Sequence, residues 1–166
     1  MPARPPRVEP GPGQESVWDY PRPPSLTRVE RHVVVRFGGQ IVADATSVWR
    51  VRETSHPPAY YLEPEDFAAG VLSPGTGSSF CEFKGSASYW TLSAGGVTVA
   101  DVGWSYEDPS PAFAPMRGAV SLYPGRVDEV LIDDERVRPQ SGGFYGGWIT
   151  DEVVGPFKGE PGTRFW

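Results

Sequence analysis

Val33-Val34-Val35-Arg36-Phe37-Gly38-Gly39-Gln40-Ile41-Val42-Ala43 decides the fold class. β-Branched residues crowd a helix but suit a pleated, half-buried surface, and paired glycines between two apolar runs supply the backbone of a tight turn. The stretch therefore reads as a β-hairpin. The same vocabulary continues outward. Ser47 to Glu53 reads as a strand, and Ser86 to Leu92 with Val97-Thr98-Val99-Ala100, turning at Gly95-Gly96, reads as a second hairpin. Ala119 to Tyr123 and Val130-Leu131-Ile132, separated by Pro124-Gly125, read as a third strand pair, after which Asp133-Asp134 turns the chain toward Val137. Pro64-Glu65-Asp66 before Phe67-Ala68-Ala69 has a proline and acids where a brief helical turn starts, and Pro111 to Met116 reads as another. Roughly eight short strands with turns between them give the rhythm of an all-β sandwich or partly open barrel.

The ends differ from this body. Residues 1–30 hold eight prolines, and Trp18-Asp19-Tyr20-Pro21-Arg22-Pro23-Pro24 can neither propagate a helix nor fill a central strand. They form an extended arm whose Trp18 and Tyr20 are costly to leave in water, so the arm is expected to lie across its own domain or a partner's. The core domain spans 31–138. Residues 139–166 mix seven glycines with bulky rings and read as a tail packed on that core. Phe157-Lys158-Gly159 repeats Phe83-Lys84-Gly85, but three residues are too few to establish an internal repeat. The 166 residues, 39% hydrophobic and 13% aromatic, suit one compact domain.

Charge and cysteine content narrow the partners. A net charge of -6 opposes a sequence-independent grip on nucleic acid, which needs clustered Lys and Arg. The opening residues lack an apolar leader, and no stretch is long and apolar enough to span a bilayer, so a cytoplasmic protein is expected. Cys81 is the sole cysteine, which precludes an internal disulfide and suits a reducing compartment.

Three clusters concentrate polar and aromatic residues: Glu53-Thr54-Ser55-His56-Pro57-Pro58-Ala59-Tyr60-Tyr61, Cys81 to Trp90, and Gly103-Trp104-Ser105-Tyr106. Glu53 and His56 can form an acid-base pair if the chain turns at Pro57-Pro58; otherwise they satisfy local backbone groups. Cys81 can be a nucleophile if His56 or Lys84 lowers its pKa, or a small buried hydrophobe. Lys84 can anchor an anion, act as a desolvated amine, or snorkel to the surface. Tyr60, Tyr61, Tyr89, Trp90, Trp104 and Tyr106 offer the walls of a concave site for a flat or cationic ligand, or an ordinary aromatic core.

One Cys and two His cannot build a closed Cys-rich zinc site, although Glu53, His56 and Cys81 leave a three-ligand site conceivable. No phosphate-binding loop, dinucleotide fingerprint or nucleophile elbow is present, and no cofactor is expected. Gly75-Thr76-Gly77-Ser78-Ser79 reads as a loop.

The chain resembles the domain of unknown function 427 family. The resemblance is carried by Phe37-Gly38-Gly39, Val42-Ala43-Asp44, Glu53-Thr54-Ser55-His56-Pro57-Pro58 with Tyr60-Tyr61, Cys81-Glu82-Phe83-Lys84-Gly85 with Tyr89-Trp90, and Trp104-Ser105-Tyr106. It extends to Val127-Asp128, to Gly143-Phe144-Tyr145-Gly146-Gly147-Trp148 and to Val154-Gly155-Pro156-Phe157-Lys158-Gly159. The resemblance implies a β-tent, two antiparallel sheets meeting at an angle, with short helical turns and long irregular termini. Paired Cys-x-x-Cys motifs, which hold zinc in many β-tent proteins, are missing here. A nucleotidyltransferase label is attached to the family in some classifications, but the chain lacks the Gly-Ser start and paired acids that chemistry needs.

Two functions from different classes follow. The first is a small-molecule pocket walled by Tyr60, Tyr61, Trp90, Trp104 and Tyr106, with Glu53, His56, Cys81 and Lys84 as polar contacts. In its catalytic version Glu53 orients His56, His56 is acid or base, Cys81 is the nucleophile and Lys84 steadies negative charge. The second is a structural or interaction protein whose terminal arms clasp a second subunit, making a homodimer.

Overall fold

The computed structural model describes residues 6–81, 83–141, 145–160, 162, 163 and 166. The chain is all-β, built from antiparallel sheets with short 3-10 turns between them. Where the resemblance implied two sheets, there are two of four strands and a third of three, with no barrel closed among the described residues.

The opening hairpin pairs Val33–Phe37 with Gln40–Ala45, and Glu129–Ile132 lies on its other side with Glu135–Arg136 beyond. Val33, Val35 and Phe37 alternate inward and are buried, as a period of two demands of a sheet with one wet face. The second hairpin, Gly85–Ala94 with Val97–Ser105, forms the centre of the other four-stranded sheet. Leu72–Cys81 flanks it on one edge and Val120–Leu122 on the other. The third sheet sets Val48–Arg52 between Ser25–Val29 and Ala59–Tyr61. The expected helical turns form at Pro64–Asp66 and Pro111–Met116.

Three expectations need correction. The third strand pair does not form. Val120–Leu122 pairs with Val97–Ser105, whereas Glu129–Ile132 pairs with Val33–Phe37 in the other sheet. The 3-10 turn Pro124–Arg126 carries the chain across instead of reversing it. The Gly75 to Ser79 stretch belongs to the Leu72–Cys81 strand, with its register shifted between Pro74 and Ser78. Its glycines are there for close approach: a Cβ on Gly75 would fall 2.2 Å from Asp101 Oδ1, the oxygen that accepts the Thr76 N–H. Finally, Ser25–Val29, inside the stretch read as an arm, is a five-residue edge strand.

Arm and tail dock on each other and on the body. Glu15–Ser16 pairs in parallel with Val153–Val154, and the Trp18 indole N–H donates to Pro156 O at 2.8 Å. Val17 and Tyr20 are buried. In the tail, Arg138–Pro139 pairs with Trp148–Ile149, and fully buried Trp148 donates its indole N–H to Leu122 O at 2.9 Å. Residues 142–144 and 164–165 of the tail, and Glu82 of the Cys81 cluster, lie outside the described residues. Among the described residues no helix is long and apolar enough to cross a membrane.

The interior is split by the Ala59–Tyr61 strand. Tyr60 faces the core of Val33, Val35, Leu92, Leu122 and Trp148, whereas Tyr61 faces a ring-rich cluster of Trp104, Tyr106, Phe113, Met116 and Tyr123. The candidate site opens beside this second cluster.

Candidate functional site

Five strands and the tail bound one open cavity of about 290 Å³. Glu53 and His56 arrive on the turn after Val48–Arg52, where Ser55 takes a positive φ of 71° and His56 N–H closes back onto Glu53 O at 3.1 Å. That turn is what brings a carboxylate and an imidazole three residues apart onto the same side. Tyr61 enters from its strand, Trp104 from Val97–Ser105 with Tyr106 just beyond it, and Cys81 and Lys84 from the turn that joins Leu72–Cys81 to Gly85–Ala94.

Seven of the nine expected residues thus line one hollow: Glu53, His56, Cys81, Lys84, Tyr61, Trp104 and Tyr106. Tyr60 and Trp90 do not. Tyr60 points into the opposite core, stacks on Trp148 with ring centroids 5.3 Å apart, and accepts from Arg50 Nε at 3.1 Å. Arg50 also reaches Glu15 at 2.7 Å and the Tyr20 hydroxyl at 3.2 Å, so Tyr60 belongs to a buried network that anchors the arm; burial pushes its pKa up to about 12. Trp90 donates to Ser105 Oγ at 2.8 Å and lines a separate depression with Phe67, Leu72 and Val120.

The structure adds residues that the sequence reading left out of the site. Tyr123, Gln140, Tyr145 and Lys158 are among them, and Tyr89, already read as a wall, lines the cavity too. Gly146 lets the tail press on the cavity wall, because a Cβ there would sit 2.1 Å from Trp104 Cη2. No local signal could assign these tail residues to a cavity whose other walls lie 17 to 107 positions earlier in the chain.

The rings are tied by their polar ends. Trp104 Nε1–H donates to Tyr61 Oη at 3.1 Å, Tyr106 donates its hydroxyl to the same oxygen, and Tyr89 donates to Ser79 Oγ at 2.9 Å. Burial raises the pKa of Tyr61, Tyr106 and Tyr123, so all three stay protonated and serve as hydroxyl donors.

His56 is neutral. Desolvation first, then the positive charges of Lys158, Arg22 and Lys84, lower its pKa to about 3. Gln140 Nε2–H points at Nδ1 from 3.4 Å, which leaves the ring proton on Nε2, facing Glu53 Oε2 at 3.5 Å. An imidazole so held accepts protons weakly and has no imidazolium proton to give near neutral pH. Lys84 is buried, and desolvation alone would lower its pKa, but Tyr61, Cys81 and Glu53 outweigh that and hold it above the usual lysine value. It is a fixed cation and not an activated amine. The Nζ lies 5.9 Å from the centroids of both Tyr106 and Phe113. Lys158 Nζ sits 5.6 Å from the Tyr145 centroid; desolvation, then Arg22, lowers its pKa while Glu53 opposes. Among the described residues no three His, Cys, Asp or Glu side chains gather closely enough to hold a metal ion, so Glu53, His56 and Cys81 share a cavity without forming a ligand set.

A profile described as a domain of unknown function (DUF427) matches residues 25–133, about two thirds of the sequence, and the chain belongs to that family. The match includes every expected site residue but stops before Gln140, Tyr145 and Lys158. No curated protein gives a significant match.

Proposed function

We propose that this member of the family is a small-molecule-binding protein whose ligand sits in the hollow between Tyr61, Trp104, Lys84 and His56. The observation that carries this reading is convergence. Side chains from five separate chain segments meet around one open cavity of about 290 Å³, near the lower end of the range for ligand sites, with ring walls and a few directed polar groups. An ordinary aromatic core would close over such rings, and this one keeps an entrance beside half-buried Cys81 and exposed Phe80.

Binding without turnover is the version these groups favour. The catalytic version requires His56 to exchange protons near neutral pH, which its cationic, desolvated surroundings oppose. Cys81 as a free thiol suits a reducing cytoplasm.

The test is native mass spectrometry of protein purified from its own host, alongside the Trp104→Ala variant. A retained molecule on the wild-type chain that the variant loses supports the reading. A molecule retained equally by folded Trp104→Ala protein would place binding elsewhere and overturn it.

A further inference from the structure

The two Phe-Lys-Gly tripeptides, 83–85 and 157–159, each contribute to the lining of the same cavity. Both Lys84 and Lys158 line the cavity although they stand on different segments, one on the turn before Gly85–Ala94 and one on the tail. Their backbones share a feature. Gly85 and Gly159 take φ values of 109° and 129°, a region that residues with a side chain rarely adopt, so each tripeptide turns sharply just after its lysine. Each ammonium also lies against a tyrosine of the cavity wall, Tyr106 for Lys84 and Tyr145 for Lys158. The ring faces are therefore already used by the chain's own cations, which disfavours a cationic ligand.

The local charge has the opposite sign to that of the whole chain. Lys84, Lys158 and Arg22 bear on His56, and among the described lining residues Glu53 is the one carboxylate. Lys84 and Lys158 against Glu53 leave one positive charge in excess among the described lining residues, within a chain of net charge -6. Glu53 is shared by Arg22 at 3.5 Å and His56 at 3.5 Å, and Lys158 Nζ also donates to Trp166 O at 3.4 Å. Tyrosine hydroxyls and the Trp104 ring supply donors and a flat wall beside the cations.

Building on the pocket reading above, we infer that the two Phe-Lys-Gly turns form a clamp for a small aromatic carboxylate, its carboxylate held between Lys84 and Lys158 and its ring laid among Tyr61, Trp104 and Tyr106. The volume limits the body to one or two fused rings. The pairing is charge-assisted on both sides, and such bonds are the stronger ones when partly desolvated.

The experiment is calorimetric titration of the full chain with indole-3-carboxylate, its neutral amide indole-3-carboxamide, and inorganic phosphate. The carboxylate is expected to bind, and the amide and phosphate each to bind at least tenfold more weakly. Lys84→Met and Lys158→Met are each expected to weaken the carboxylate roughly tenfold and to narrow its advantage over the amide. Lys158 is the less buried of the two, so Lys158→Met carries the test should Lys84→Met fail to fold. Equal affinity for amide and carboxylate, or carboxylate affinity unchanged in the lysine variants, overturns the clamp while the pocket stands. Phosphate binding as tightly as the carboxylate overturns the aromatic part. Wild-type protein that is folded and binds no ring-bearing probe overturns clamp and pocket together.

Discussion

His56 makes the fold lose stability on acidification in a way that can be isolated. Its side chain is 17% exposed, and its pKa falls from 6.5 to about 3 on folding. A depressed value in the folded state means that the unfolded chain binds a proton first as pH drops. The contribution is complete above about pH 6.5, shrinks as pH falls below that, and has been lost once pH passes the folded value near 3. Each pH unit within this window costs about 1.4 kcal/mol, so at about pH 5 the loss is roughly 2 kcal/mol, a large share of a typical domain's stability. The perturbation is His56→Gln, which removes the titrating ring and keeps a polar side chain beside Gln140 and Glu53. Urea unfolding of both proteins at about pH 7.5, 6 and 5 provides the measurement. The variant carries a fixed offset from lost contacts, and against that offset the wild type is expected to weaken by roughly 2 kcal/mol more over the range. Parallel pH dependences for the two proteins would refute the argument that desolvation and the cations at the cavity hold the imidazole neutral.

Other substitutions probe the parts that shape the cavity. Gly146→Ala drives a methyl into the Trp104 ring and is expected to cost about 1 to 3 kcal/mol by thermal melting and to shift the tryptophan emission. Trp148→Ala empties a fully buried site, removes the bond to Leu122 O and is expected to cost about 3 to 5 kcal/mol in denaturant titration. Arg50→Met leaves Tyr20, Tyr60 and Glu15 without their shared donor. It is expected to raise amide exchange at Glu15 to Tyr20 well before the hairpin strands respond, as local opening of the arm requires.

The hairpins were legible because β-branched runs and glycine pairs are local signals, and both formed in the expected places. The crossover at Pro124–Arg126 was not, since a Pro-Gly step looks the same whether it reverses a chain or passes it to another sheet. Within the site, the alternation of a strand was the signal that went unused. Tyr60 and Tyr61 are neighbours on one strand, as are Tyr89 and Trp90, so only one of each pair can face a given cavity, and it is Tyr61 and Tyr89 that do. Trp104 and Tyr106, two apart, both face it. The contribution of Tyr145 and Lys158 rests on how the tail docks, which depends on long-range packing at Trp148 and on the close approach at Gly146.

The central claim is that one cavity gathers these groups and takes a small molecule. Amide shift mapping tests it most directly, by titrating isotope-labelled protein with indole-3-carboxylate. The account predicts that the largest shifts fall on Glu53, His56, Lys84, Tyr106 and Gly147. Shifts centred on Phe67, Leu72, Trp90 and Val120, around the separate depression, would contradict it.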